Sequence, residues 1–167
     1  KLPAVVDQRS HIGDWEIDTI IGAHHQGVLL SLVERKSRLC LIARLANKSA
    51  QEVERTTINL LDSIKEKVHT VTSDNGKEFA KHESIAKNLD AQFFFAHPYA
   101  SWERGLNENT NGLIRQYFPK KTQFNHISDQ QVQSVMEKLN NRPRKCLGMK
   151  TPNQVFFKEY SFVALRS

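Results

Sequence analysis

From Asp14 to Leu45 the chain runs through three strand-like stretches with only short turns between them. Alternation of apolar and polar residues is the period of a β-strand, and short connections make the strands antiparallel neighbours. The stretches are Asp14 to Ile21, Gly27 to Glu34 and Leu39 to Leu45, the last two joined through Arg35-Lys36-Ser37-Arg38. After Ser49 the period changes. Val53, Thr57, Leu60, Leu61, Ile64 and Val68 recur at helical spacing behind a capping-box sequence, Ser49-Ala50-Gln51-Glu52. A strand up to Asp74, a helix at His82–Leu89 and a short apolar strand from Gln92 to Ala96 follow, stopped by Pro98. The remainder reads as helices: Trp102 to Phe118, a second capping box at Ser128–Gln131, and a start at Thr151-Pro152 with proline at the first helical position. A meander followed by strands that alternate with helices makes an α/β fold, a mixed five-stranded sheet flanked by helices on both faces. Residues 1–12 read as an irregular leader and 13–167 as one domain.

A length of 167 residues suits one domain with a sizeable core. Hydrophobic content of 39% and charged content of 25% are those of a globular protein, and no apolar run is long enough to span a membrane. The chain starts at Lys1 rather than Met, so it is expected to be a piece of something longer, and no secretory signal is visible. Cys40 and Cys146 lie far apart and form no Cys-x-x-Cys pair, which suits reduced thiols in an intracellular, cytoplasmic protein. The net charge of +6 is unevenly spread. Residues 1–100 hold 13 Lys+Arg and 13 Asp+Glu, and residues 101–167 hold 11 and 5. A basic region on a neutral body is the footprint of a polyanion-binding surface, against the plain alternative of a basic solvated face.

Three acids stand out. Asp14, Glu16 and Asp18 share one face of the first strand, and Asp18 sits in its most apolar part, beside Ile17, Thr19, Ile20 and Ile21. A buried carboxylate needs a metal, a cation or a shifted pKa. Asp14 and Glu16, nearer the strand's start, are expected to reach water. Asp74 ends another strand, before an Asn75-Gly76 pair that reads as a turn, since both residues tolerate positive φ. Glu108 shares a helix face with Asn111 and Arg115, at i, i+3 and i+7, and Gly112 lies on the same side. Hard divalent cations take oxygen ligands, and a pair of them can clamp the attacking and leaving oxygens of a phosphoryl displacement.

Trp15-Glu16-Ile17-Asp18, Ser73-Asp74-Asn75-Gly76 and Arg104-Gly105-Leu106-Asn107-Glu108 resemble the Asp-Asp-Glu catalytic core of retroviral integrases and many transposases. Glu108 follows Asp74 by 34 positions. That spacing, the stretch from Pro98 to Pro119, and Leu139 to Lys145 followed by Thr151-Pro152 look like bacterial insertion-sequence transposases of the IS-thirty type. The resemblance runs from Gly13 to about Phe157. It implies a ribonuclease-H-like fold and Mg²⁺ or Mn²⁺, two ions once DNA is bound, held by Asp18, Asp74 and Glu108. It further implies attack by water and then by a DNA 3′-hydroxyl on a phosphodiester, with no covalent protein–DNA intermediate. DNA is the expected partner, and a homodimer or higher oligomer the expected assembly, associated with the nucleoid if the source is bacterial. Asn111, Arg115, Lys120, Lys121, Arg142, Arg144 and Lys145 are the candidate DNA contacts. A nuclease of the same fold that cuts without joining, and an inert DNA-binding or assembly module, are the competing readings.

Overall fold

The computed structural model describes residues 11–97 and 105–157. Most of the expected leader, the Pro98 stop, the Trp102 start of the third helix and the tail beyond 157 lie outside the described residues. Five strands form one sheet: β1 (Asp14–Ile21), β2 (Val28–Glu34), β3 (Cys40–Leu45), β4 (Thr70–Ser73) and β5 (Gln92–Phe95). Their order is β3-β2-β1-β4-β5. The first three pair antiparallel as a meander, and β4 and β5 add in parallel. The helices are α1 (Ala50–Leu61), α2 (His82–Leu89), α3 (Gly105–Tyr117), α4 (Asp129–Asn140) and α5 (Pro152–Phe156).

Period-two alternation divides the core between the two faces of the sheet. Trp15, Ile17, Leu30, Leu32 and Val71 turn to one face, where α1, α2 and α5 cover them with Val53, Leu61, Ile85, Leu89 and Phe156. Ile20, Leu29, Cys40 and Ile42 turn to the other, under Ile114 of α3 and Val132, Val135 and Leu139 of α4. Cys40 lies deep in this second layer, and burial pushes its thiol up to about 12, while Cys146 is exposed. Asn140 holds α4 on the β3 edge by bonding both the N–H and the C=O of Cys40, at 2.9 and 2.8 Å. No helix among the described residues is long and apolar enough to cross a membrane.

The capping residues act as their sequence implies at two of three sites. Ser128 and Thr151 form complete capping boxes, the second with Pro152 at the helix start. Ser49 accepts from Glu52 N, but the Glu52 carboxylate turns to Ala46 N and to Arg55. Helix α1 is shorter than its stripe suggests. It ends at Leu61, a 3₁₀ segment spans Asp62–Lys67, and Val68 joins the core from extended backbone. In α3, Leu106, Thr110 and Ile114 face inward, with Ile114 the deepest.

Asp14 and Glu16 do not reach water. They are 1% and 0% exposed, and Asp18 is the more open of the three acids. Each buried acid has its compensation. Thr70 Oγ1 donates to Asp14 at 2.7 Å, and His11 lies 3.3 Å from its other oxygen. Arg35, itself buried, is 3.2 Å from Glu16. Glu34 accepts from the backbone N–H groups of Gly13, Lys36 and Ser37 and so closes the β2–β3 turn.

Gly13 sets the entry to β1. Its carbonyl accepts from His69 N at 2.7 Å and Thr70 N at 3.1 Å, which pins β1 against β4. Its φ is +126°, and a Cβ there would lie 2.2 Å from the His69 ring. Gly13→Ala is therefore expected to destabilise the fold by about 1–3 kcal/mol, read as a lower urea midpoint at unchanged slope.

Candidate active site

The parallel pairing of β1 with β4 positions the two strand acids. Asp14 faces Thr70, Trp15 faces Val71 and Glu16 faces Thr72. The same offset brings Asp18 level with Asp74, one residue past the end of β4. Neighbouring strands run about 4.8 Å apart, so the two carboxylates rise from adjacent points at one end of the sheet. Two like charges that rise side by side repel, and a cation between them offsets that repulsion.

Each carboxylate is oriented locally. Asp18 is half-buried. Its Oδ1 accepts from Thr19 N at 2.9 Å and its Oδ2 from Asn111 Nδ2 at 2.9 Å. Ser31, opposite Asp18 on β2, donates to Asn111 Oδ1 at 3.3 Å and so fixes that amide. Asp74 is exposed, and its Oδ1 accepts from Gly76 N at 3.0 Å, a small ring that sets the carboxylate's direction.

The turn after Asp74 does not use positive φ. Gly76 has φ −84°, and Asn75 is not among the positive-φ residues. A side chain at Gly76 would instead displace two neighbouring carboxylates. A Cβ there would lie 2.3 Å from Glu78 Oε2 and 2.9 Å from Asp74 Oδ1. Glu78 is a fourth acid beside the site, and the three-acid reading passed over it. The sequence signal for it was slight, a Glu just before the core residue Phe79.

Helix α3 brings the third acid. Asn107 donates to the carbonyl of Ile17 at 3.4 Å, Asn111 to Asp18, and Arg115 to the carbonyl of Ile21 at 2.9 Å. These bonds lay the helix along β1 across three turns. Glu108 stands exposed in the first turn, one turn ahead of Asn111 on the same side. Among the described residues no group of three or more His, Cys, Asp or Glu side chains is already gathered as a metal cage. The three acids share one end of the sheet and the helix above it without forming a closed set. Gly112 faces open space.

The candidate DNA contacts divide by environment. Arg115 is engaged on the protein. It bonds the end of β1, lies 5.1 Å over the Phe124 ring, and loses some of its basicity to burial. Asn111 is occupied by Asp18 and Ser31. Arg142 bonds Gln116 and the Tyr117 hydroxyl, while Lys138, absent from the sequence-based set, lies 5.6 Å over the Tyr117 ring from its own helix. Arg144 donates to the carbonyl of Leu139, and burial with Arg142 nearby lowers its pKa. Lys120, Lys121 and Lys145 are exposed.

Comparison with known proteins places this geometry in context. Residues 9–101 match the integrase core domain model. The chain is 49% identical over 154 residues to the transposase for insertion sequence element IS4351 of Bacteroides fragilis, across 92% of this chain and 47% of that protein. It is 38% identical over 151 residues to the transposase InsI for insertion sequence element IS30A of Escherichia coli (strain K12), across 90% and 39%. The chain thus spans less than half the length of these curated relatives. The catalytic core domain of BIV integrase superposes with a TM-score of 0.71 at 19% identity, covering 92% of this chain and 99% of that one. The fold is that of a retroviral integrase core, ribonuclease-H-like as the sequence motifs imply.

Asn111→Ala removes the donor to Asp18 and the acceptor for Ser31. The expected loss is ~1 kcal/mol, a fall of about 2–4 °C in melting temperature. Asn111→Asp sets a carboxylate where that donor stands, 2.9 Å from Asp18 Oδ2, and is expected to melt lower still in the same scan.

Proposed function

The chain belongs to the integrase core domain family, and on that premise we propose that it is the catalytic domain of a DNA transposase. The observation that carries this reading is the register of β1 and β4, which levels Asp18 with Asp74 under the helix that bears Glu108. The relatives' description as transposases supports it.

In the proposed reaction a water oxygen attacks a phosphodiester in line. The new P–O bond forms as the bond to the 3′ oxygen breaks, leaving a DNA 3′-hydroxyl. That hydroxyl then attacks a phosphodiester of the target, joining one strand and releasing another 3′-hydroxyl. Three carboxylates are the oxygen donors that Mg²⁺ or Mn²⁺ takes, and Asp18, Asp74 and Glu108 would hold the metal. When bound, it supplies Lewis-acid charge to the attacking and leaving oxygens.

The protein's own part is orientation. Thr19 N and Asn111 hold both oxygens of Asp18, and Gly76 N holds one of Asp74. Glu108 stays exposed and within reach of solvent-borne groups. DNA is the proposed substrate. Lys120, Lys121 and Lys145 are the exposed cations proposed to follow its phosphates, with Arg142 and Arg144 beside them. Assembly of two or more copies follows from the need to bring element ends and target together.

Mn²⁺ binding by calorimetry, on the parent protein and on Asp74→Asn, tests the site. Much weaker binding in the variant, with the circular dichroism spectrum unchanged, is the expected result. Equal binding in both, with DNA present to supply phosphate ligands, would return Asp74 to a turn residue and favour an inert module. Joining is read separately, by incorporation of a labelled oligonucleotide into plasmid DNA. A 3′-hydroxyl oligonucleotide should be incorporated and its 3′-deoxy counterpart should not. Nicking without incorporation would mark a nuclease.

A further inference from the structure

Glu78 has no place in the three-acid site, yet it is an anchored carboxylate beside it. It is 9% exposed, in the short 3₁₀ turn Lys77–Phe79 that follows Asp74. Its Oε1 accepts from Thr19 Oγ1 at 3.2 Å and lies 3.4 Å from Lys48 Nζ. Its Oε2 and Asp74 Oδ1 both crowd the same point over Gly76, at 2.3 and 2.9 Å. Thr19 is the residue after Asp18, and its backbone N–H is already bonded to Asp18 Oδ1. One side chain therefore ties the strand that carries Asp18 to the turn that carries Asp74. It does so from the sheet face opposite Asn111, because Thr19 and Asp18 alternate across the strand.

Taking the functional reading above as its basis, we propose that Glu78 is a positioning residue for the metal site: a strut between Thr19 and the Asp74–Gly76 turn that sets how far apart the Asp18 and Asp74 carboxylates stand. Lys48 balances the charge this requires, since a second carboxylate beside Asp74 would otherwise push the turn outward. Lys48 is 41% exposed, so its pair with Glu78 contributes little to stability and acts on local charge. A Cβ at Gly76 would press on both carboxylates and shift them.

The test is Mn²⁺ titration by calorimetry on the whole protein, in parent, Glu78→Ala, Glu78→Gln, Thr19→Val and Asp74→Asn forms. It is paired with plasmid nicking as a function of Mn²⁺ concentration. Loss of an outer-shell partner typically weakens metal binding about tenfold or more, so Glu78→Ala should raise the Mn²⁺ dissociation constant by about that factor. The Mn²⁺ concentration for half-maximal nicking should rise in parallel, while the rate at saturating Mn²⁺ returns to the parent value. Glu78→Gln keeps an acceptor for Thr19 and should recover most of the affinity. Thr19→Val, which leaves both carboxylates in place, should shift it in the same direction as Glu78→Ala, and it decides the matter if Glu78→Ala fails to fold.

An unchanged dissociation constant in Glu78→Ala and Thr19→Val, with Asp74→Asn weakened, would overturn the strut while leaving the functional reading intact. Loss as complete as in Asp74→Asn, not restored by excess metal, would make Glu78 a ligand and overturn the positioning role. An unchanged constant in Asp74→Asn itself would overturn the functional reading and the strut with it.

Discussion

The parallel pairing of β1 with β4 is the constraint on which the rest of the molecule depends. The meander β1–β3 is local and its turns nearly dictate it, but β4 reaches β1 only after a helix has crossed the sheet. The carbonyl of Gly13 then fixes the register by accepting from both His69 and Thr70. A slip of one residue would turn the side chains of β4 to the opposite face. It would also take Asp74 off the level of Asp18. The same contact therefore sets the core packing and the geometry of the candidate site.

That register has an electrostatic consequence. The face of β1 that turns toward α3 and α4 carries Asp14, Glu16 and Asp18 in sequence, and burying the first two is costly unless each is compensated. Thr70, His11 and Arg35 supply the compensation, and all three stand on neighbouring segments. The polarity of this face falls toward the end of the strand, where Ile20 rejoins the apolar layer under Ile114 and Phe124. Asp18 lies at the transition. It is open enough to meet a ligand, and Thr19 and Asn111 hold it well enough to keep one direction.

Much of this was readable from residue order. The three meander strands, the helix at His82–Leu89 and the caps at Ser128 and Thr151 appear where period and capping chemistry put them. The readings that needed revision share a cause. Asp14 and Glu16 looked solvent-accessible because they open a strand, but Arg35 and Thr70 arrive from other elements. Asn75-Gly76 looked like a positive-φ turn, whereas Gly76 has φ −84° and lies against the Glu78 and Asp74 carboxylates. Val68 fitted a helical stripe, yet it enters the core from extended backbone after a 3₁₀ segment. Arg115 and Asn111, candidate DNA contacts from their helix face, also bond β1.

By itself the sequence determined the alternation of strands and helices, the five-stranded mixed sheet and the identity and spacing of the three acids, because backbone period and capping act over a few residues. Only the tertiary structure decided which acids are sealed in and which stay open, and that Glu78 stands beside Asp74. Burial and ion pairing belong to neighbours that the fold supplies: Thr19 and Glu78 are 59 positions apart, and Asp18 and Asn111 are 93. No local pattern carries the energy of contacts at that range.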